Sequence, residues 1–259
     1  MNDIMSESKA IVVVVAYRFI TLEKSELPIW RTLLREAAER CVLKGTVLLS
    51  QEGINLMLAG TREGLETYKT FLARYDIFHG LIYKESFAAV SPFSRLKVRI
   101  KKEIIAMGYP DIQPARESAP RLSPLELKQW YEEKRNMILL DARNDYEVEQ
   151  GTFSSAISLR IHTFREFPAA ASLLPAEMKE KSVVTFCTGG IRCEKAALWL
   201  QKQGFQDVYQ LDGGILGYWA QCGKVHYVGN CFVFDDRMTI EDLLPKRQRT
   251  HHSDTYHGP

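Results

Sequence analysis

A cysteine followed at once by two glycines and an arginine carries the clearest chemistry in this sequence. The apolar run Ser182–Phe186 leads into Cys187, and a helical pattern begins at Arg192. The residues between are Thr188, Gly189, Gly190 and Ile191. Backbone N–H groups at the start of a helix, together with an arginine, favour negative charge. We therefore predict that Cys187 is a reactive thiolate with a pKa below the roughly 8.5 of free cysteine.

The length of this loop separates two kinds of chemistry. Four residues lie between Cys187 and Arg192, one fewer than in the cysteine phosphatases. The tighter loop fits a sulfur atom rather than a tetrahedral phosphate, so sulfur chemistry is favoured over phosphate hydrolysis. Cys193 has two interpretations. It is either a second redox thiol that resolves an oxidised Cys187 or a packed helix residue.

Other polar residues are candidates for supporting roles. Asp141 and Arg143 follow a predicted strand and either orient the loop and contact substrate or form a buried ion pair. Arg160 and Arg165 are candidates for contacts with phosphate groups near the site. His162, between them, is interpreted as a polar loop residue rather than an acid or base.

Four segments, in order and spacing, resemble the rhodanese domains, which carry sulfane sulfur on a cysteine. They are Met137–Glu147, Gly151–Ile157, Cys187–Arg192 and Tyr209–Ile215. The second segment departs from the usual pattern, since Thr152 stands where most rhodaneses have histidine. The resemblance implies that Cys187 is the sulfur-carrying residue and that Arg192 supports it.

A narrower resemblance covers roughly residues 9–238 and is to the rhodanese-containing tRNA uridine hydroxylases. It is carried by further segments: Gly45–Leu56, Phe93–Lys101, Arg160–Pro168 and Arg192–Lys195. These bacterial, cytoplasmic, oxygen-dependent enzymes convert the wobble uridine of certain tRNAs to 5-hydroxyuridine. Some relatives carry a cysteine-rich C-terminal extension, which this chain lacks, so no metal site is implied there.

Composition sets limits on these interpretations. The chain has 259 residues, 46% of them hydrophobic and 25% charged, and a formal net charge of +2. We expect two globular domains, with any nucleic-acid surface local rather than global. No apolar run approaches the roughly 20 residues that cross a bilayer, so no membrane association is expected. Five scattered cysteines argue against a disulfide framework and for the reducing cytoplasm.

The elements that must position the cysteine fall into two domains, and we predict an α/β fold. A ferredoxin-like α+β domain, residues 1–107, is expected from the order strand, helix, strand, strand, helix, strand. Ser25 is expected to cap its first helix, with Ile29, Leu33, Leu34 and Ala37 on one side, and Thr61 its second. Residues 108–121 are predicted as an extended linker, 122–225 as a rhodanese-like parallel α/β domain, and 226–259 as a C-terminal extension with a disordered tail.

A basic strand closes the first domain. Alternation places Arg95, Lys97, Arg99 and Lys101 on one face and Leu96, Val98 and Ile100 on the other. The cationic face is expected to bind RNA phosphates, although a solvated sheet edge would show the same pattern.

The resemblance and the residues together predict hydroxylation of the wobble uridine, position 34, of tRNA. The predicted co-substrates are O2 and an unspecified reductant, with no cofactor evident and no metal signature. The tRNA anticodon arm is the expected partner, and the oligomeric state stays open. The alternatives are a sulfurtransferase that passes sulfur from Cys187 to a protein or RNA acceptor, and a non-catalytic RNA-binding module.

Overall fold

The computed structural model describes residues 11–243, and its N-terminal unit is a five-stranded sheet with two helices. Its elements are β1 (Ile11–Phe19), α1 (Leu27–Arg40), β2 (Lys44–Ser50), β3 (Gly53–Gly60), α2 (Arg62–Ala73), β4 (Lys84–Ala88) and β5 (Leu96–Ile100). The strand order is β4-β1-β3-β2-β5. The first four strands have the predicted ferredoxin-like arrangement, and β5 is added at the edge beside β2, parallel to it.

Both helices cover one face of this sheet, and their starts differ from each other. Thr61 caps α2 as predicted, since its hydroxyl accepts a hydrogen bond from the Gly64 N–H at 3.1 Å. The prediction for α1 is wrong: Glu26, not Ser25, is the N-cap, and it makes no side-chain hydrogen bond. The prediction that Ile29 lies on the buried side of this helix is also wrong, because Ile29 is 60% exposed. A proline in the first turn starts this helix instead.

The basic strand has the predicted alternation. Val98 is buried in the core between sheet and helices, with Leu96 and Ile100 packed against it. Arg95, Arg99 and Lys101 are exposed, and Lys97 is partly exposed.

The connection between the domains is folded rather than extended. Met107, Ile112 and Ala119 of this segment are buried in a core of the second domain. Two turns, closed by the Ile112 and Arg116 N–H groups, bend the chain. The proline-rich composition suggested a free linker, but apolar residues spaced along it gain more by packing than by remaining in solvent.

The second unit is built on a five-stranded parallel sheet with the order β6-β11-β10-β7-β9. Its elements are β6 (Arg121–Leu122), α3 (Pro124–Glu132), β7 (Met137–Asp141), α4 (Asp145–Val148), β8 (Gly151–Phe153), β9 (Ile157–Ser158), α5 (Phe167–Ala171), β10 (Ser182–Phe186), α6 (Ile191–Lys202), β11 (Asp207–Leu211) and α7 (Gly214–Cys222). A capping box formed by Ser123 and Glu126 opens α3. Separate cores lie on the two faces of the sheet.

The chain after α7 returns to both domains. Strand β12 (Tyr227–Gly229) pairs with β8, and β13 (Cys231–Phe232) pairs with β14 (Thr239–Ile240). Arg237 donates hydrogen bonds to the Ser86 hydroxyl at 3.0 Å and to the Phe87 carbonyl at 3.2 Å, both on β4. The predicted disordered tail lies beyond residue 243, outside the described residues.

A buried lysine joins the two domains. Lys195 of α6 is 1% exposed. Its Nζ lies 2.8 Å from a Glu52 carboxylate oxygen and 2.7 Å from one of Glu103. Both carboxylates belong to the N-terminal part of the chain, so the lysine is fully paired in a place where an unpaired charge would be costly. Among the helices of residues 11–243, none is long and apolar enough to span a membrane.

Candidate active site around Cys187

Cys187 lies where β10 ends and the loop into α6 begins, at the carboxyl edge of the parallel sheet. Gly190 is the N-cap of α6 and has a φ of 98°, in the left-handed region that glycine adopts without strain. This conformation turns the Gly190 N–H toward the cysteine, and it donates a hydrogen bond to Sγ at 3.2 Å. The loop thus directs a backbone N–H group at the sulfur.

Backbone hydrogen bonds from the start of α7 fix the position of this loop. The N–H groups of Ile215 and Leu216 donate to the carbonyls of Cys187 and Thr188, at 2.9 and 3.0 Å. The two carbonyls therefore point away from the sulfur. Gly214 allows this contact, because a Cβ there would lie 2.3 Å from the Cys187 oxygen. The glycine pair at the end of β11 is therefore part of the site's construction.

The surroundings of Cys187 favour its thiolate. Burial alone would raise the pKa of this thiol. The hydrogen bond from Cys193, the charge of Arg192 and the N–H groups of Arg192 and Gly190 outweigh burial and lower the pKa to about 5. At neutral pH the sulfur is therefore an anion, the form that reacts with electrophiles and oxidants.

Arg192 is held by an acid that the sequence analysis did not select. Its two terminal nitrogens donate to the Glu147 carboxylate at 2.5 and 2.8 Å. Glu147 is 0% exposed and Arg192 is 4% exposed. Burial opposes the arginine's charge, but Glu147 and then Cys187 raise its pKa. The Arg192 Nε is buried and has no hydrogen-bond partner among the described protein groups. One sequence signal marked Glu147, since Asn144 and Glu147 have capping-box spacing.

Cys193 is also brought to the sulfur. It is 0% exposed, and burial followed by the neighbouring Cys187 raises its pKa well above the ordinary value. It is therefore a protonated thiol that donates a hydrogen bond to the Cys187 thiolate. This geometry suits both a donor and a resolving thiol, so both interpretations stay open. All five cysteines are free.

Asp141 and Arg143 form a buried ion pair beneath the loop. Both side chains are 0% exposed, and Arg143 Nη2 lies 2.7 Å from Asp141 Oδ2. The same nitrogen donates to the Gly151 carbonyl at 2.7 Å. Thr152, at the position where rhodaneses usually have histidine, donates to the same Asp141 oxygen at 2.7 Å. The pair therefore fixes β7 and β8 and has no exposed atom with which to contact a substrate.

The N-terminal sheet also contributes to the site, which sequence reasoning missed. Tyr17 of β1 donates a hydrogen bond to Glu194 of α6 at 3.1 Å. Its hydroxyl lies 2.9 Å from the position that a Cβ on Gly190 would take. Lys84 of β4 places its Cε 3.3 Å from the corresponding position on Gly213. The sulfur site therefore includes residues of both domains.

These contacts leave Cys187 0% exposed, whereas Cys41 is partly exposed. The loop is open at Gly189, where, chain neighbours aside, no residue of the described range 11–243 has a heavy atom within 4 Å of the position of a Cβ.

The basic strand shares a sheet face with Tyr17 and Lys84. One row across the sheet runs, in register, through Lys97, Thr46, Met57, Val15 and Lys84. The next row runs through Arg99, Leu48, Asn55 and Tyr17. Five strands at a spacing of about 4.8 Å make the first row roughly 19 Å long. Every residue of the two rows is at least partly exposed, so this face leads from the basic strand to the sulfur loop.

The remaining predicted residues lie on the surface. Arg160 and Arg165 are exposed, in the segment that follows β9 at the same sheet edge as Cys187. The His162 side chain is 80% exposed, and its Nδ1 lies 2.6 Å from an Asp145 oxygen. Phe234, after β13, is 47% exposed and lies with its ring centroid 5.6 Å from the Arg192 guanidinium carbon. Within residues 11–243, no cluster of three or more His, Cys, Asp or Glu residues is arranged to hold a metal ion.

Two family models match the chain, one in each domain. Residues 11–104 match the UPF0176 acylphosphatase-like domain, and residues 123–221 match the rhodanese-like domain. A tRNA uridine(34) hydroxylase of Bordetella petrii is 45% identical over 240 residues, covering 91% of this chain and 94% of that protein. One of Ralstonia nicotianae is 47% identical, covering 91% and 85%. Among solved structures, a rhodanese-like domain of Anabaena sp. matches at 23% identity with a TM-score of 0.36, over 43% of this chain and 80% of that one.

Proposed function

Because the chain belongs to the tRNA uridine(34) hydroxylase family, we propose that it converts the wobble uridine of tRNA to 5-hydroxyuridine, with Cys187 as the reacting group. The observation that carries the role of Cys187 is the hydrogen bond from the Gly190 N–H to its Sγ at 3.2 Å, which together with Cys193 and Arg192 stabilises the thiolate and lowers its pKa to about 5. The oxidant is O2, and a reductant supplies the remaining electrons. The reaction takes place in the cytoplasm, where tRNA is available and thiols stay reduced.

Each residue of the loop has a part in this proposal. The Gly190 N–H and Arg192 stabilise negative charge on the sulfur, and Glu147 keeps the arginine in place. Cys193 supplies a proton-bearing thiol to the same sulfur. A stacked base of the anticodon loop must be splayed out to reach a recessed sulfur, as in other enzymes that modify single bases.

The sheet face of the N-terminal domain supports binding of the anticodon arm. Lys97 and Arg99 lie at one end of the two rows that lead to the sulfur loop. Phosphate groups bound there would direct the RNA along a half-exposed sheet, a mode that RNA-binding sheets use for single strands. Arg160 and Arg165 offer additional cations at the sheet edge of the second domain.

The decisive experiment is analysis of tRNA nucleosides by mass spectrometry in a strain that lacks the gene. Wild-type protein should restore 5-hydroxyuridine and its derivatives, and Cys187→Ser should not. Cys41→Ser is the control, because that thiol is partly buried against the core of the N-terminal domain, far along the chain from Cys187. Restoration by Cys187→Ser would show that the thiolate is not the reacting group.

The RNA surface is tested by reversing three charges of the basic strand. Arg95→Glu, Lys97→Glu and Arg99→Glu together should weaken tRNA binding and leave the fold intact, because the apolar face of β5 is unchanged. Each lost phosphate contact should reduce the slope of log affinity against log salt by roughly 0.7 to 0.9. An unaltered slope would mean that this face is only a solvated edge.

Sulfur transfer is the second candidate, and the same thiolate favours it. A thiolate held in a short loop of N–H groups is suited to carrying sulfane sulfur as a persulfide. The two functions predict the loss of different modified nucleosides from the tRNA of the deletion strain. Loss of thiolated nucleosides, with 5-hydroxyuridine retained, would establish the transferase.

A further inference from the structure

Lys84 is a charged residue in the site that the proposed function does not yet use. It is half-buried on β4 and extends to the glycine turn at Gly213 that holds the sulfur loop. The part of the chain that the structure describes contains no acid or carbonyl that forms an ion pair or hydrogen bond with it. Desolvation of a partly buried lysine costs free energy that no partner offsets, unless an anion is present nearby.

Tyr17 fixes the lysine's position. The Lys84 Nζ lies 5.4 Å from the centroid of the Tyr17 ring, a distance at which an aromatic face attracts a cation. Burial, and then the charge of Glu194, raise the pKa of Tyr17 well above its ordinary value. The tyrosine is therefore a neutral phenol whose hydroxyl donates a hydrogen bond to Glu194, and its ring lies against the Lys84 ammonium group.

The other cations of this region are already paired. Arg192 is bound to Glu147, and Lys195 is bound to the two carboxylates that join the domains. Arg121 lies 2.5 Å from Glu194 and 3.0 Å from Asp212. Among the residues described around Cys187, Lys84 is thus the cation that remains available to an anion.

We propose that Lys84 is an electrostatic residue of the sulfur site, whose ammonium group stabilises anionic sulfur on Cys187 from the N-terminal sheet as Arg192 does from α6. The inference rests on the proposed function only in taking Cys187 as the reacting group. It means that neither domain contains the complete site. The docked pair of domains is needed to set the reactivity of the sulfur.

The charges around the two groups agree with this assignment. Burial lowers the pKa of Lys84, and the thiolate of Cys187 is the first of the neighbouring charges that oppose this effect, followed by Asp212. The charge of Arg121 lowers the pKa of Lys84, whereas the charge of Glu194 raises it, as Cys187 does. Coupling between two sites is reciprocal, so the ammonium must favour the thiolate as much as the thiolate favours the ammonium.

The test is a titration of the Cys187 thiolate by its ultraviolet absorbance, which requires no reagent to enter the site. Each spectrum is compared with that of the same variant carrying Cys187→Ser, so that the other thiols cancel. Lys84→Met should raise the pKa of Cys187, by less than the loss of Arg192 would, because Arg192 is among the leading charges that act on the thiolate and Lys84 adds a second, weaker opposite charge. Lys84→Arg should retain the wild-type value.

Lys97→Met is the matched control, because Lys97 begins the same row of the sheet that ends at Lys84. It should leave the pKa of Cys187 unchanged. In turnover of tRNA, Lys84→Met should shift the acid limb of the kcat against pH profile upward by as much as the pKa of the thiol.

An unshifted pKa of Cys187 in folded Lys84→Met would overturn the proposal, as would a shift of the same size in Lys97→Met. A purely structural lysine would lower the melting temperature and leave the titration unchanged. If Lys84→Met does not fold, Lys84→Gln gives the same test. The titration is made without tRNA, so it can fail while uridine hydroxylation stands, and hydroxylation can fail while the titration stands.

Discussion

Glu147→Gln is the change that most directly tests how the arginine of the site is held. Glu147 accepts hydrogen bonds from both terminal nitrogens of Arg192 and from the Asn144 N–H at 3.2 Å. With the acid and the arginine 0% and 4% exposed, neutralising the acid leaves a buried cation without its partner. Breaking a buried pair costs about 3–5 kcal/mol. At about 2–4 °C per kcal/mol for a chain of this size, the melting temperature should fall by roughly 6–20 °C.

The same variant should lower the pKa of the Cys187 thiol while it lowers the stability of the fold. Without Glu147, the charge of Arg192 acts on Cys187 uncompensated, so the pKa of the thiol should fall further. Lower stability and a more acidic thiol would therefore occur together. Thermal unfolding by circular dichroism and the thiolate titration measure the two effects on one preparation.

A double variant separates the pair's structural part from its chemical part. Glu147→Leu with Arg192→Met removes both charges, and apolar side chains of similar volume often replace a buried pair at little cost. We expect stability near that of wild type, a raised pKa of Cys187 and no activity. A single variant as stable as wild type, or a double variant less stable than the single one, would refute this account of the pair.

Three other changes test the loop and its thiolate. Cys193→Ala should raise the pKa of Cys187, because the hydrogen bond to its sulfur is lost, and progressive inactivation by oxidant during turnover would identify Cys193 as a resolving thiol. Gly214→Ala should distort the loop and abolish activity, since its Cβ would lie 2.3 Å from the Cys187 oxygen, while Gly204→Ala, also at positive φ but with no neighbour within 4 Å, should be active. Finally, folding lowers the pKa of Cys187 from 9.0 to about 5. The free energy of unfolding that wild type gains from this thiolate, relative to Cys187→Ser, should therefore be absent below pH 5, increase between pH 5 and pH 9 and be complete above pH 9. Denaturant unfolding across pH measures it, and a constant difference would contradict the depressed pKa.

Local patterns account for what could be predicted from the sequence. The sulfur loop is one continuous segment whose glycines, arginine and following helix lie within a few residues of the cysteine. Likewise, the alternation along the basic strand directly reports which side chains share a face. In each case, the interactions that determine the structure are encoded by neighbours in the chain.

Long-range packing accounts for what could not be predicted. Tyr17 and Glu194 are 177 residues apart in sequence, and no spacing rule connects them. Lys84 was one lysine among many in the chain, and its role depends on how the two domains dock. Glu147 was visible as a capping residue, but its pairing with Arg192 required the loop and α4 to meet in space.

The complete burial of Cys187 has a consequence for how the protein survives in a cell. Susceptibility of a thiol to oxidative damage follows both its thiolate character and its exposure, and this structure separates the two. A low-pKa sulfur with 0% exposure offers no surface to bulky disulfides such as oxidised glutathione. Between substrates, the sulfur that the site holds as a thiolate therefore has no accessible surface for S-glutathionylation.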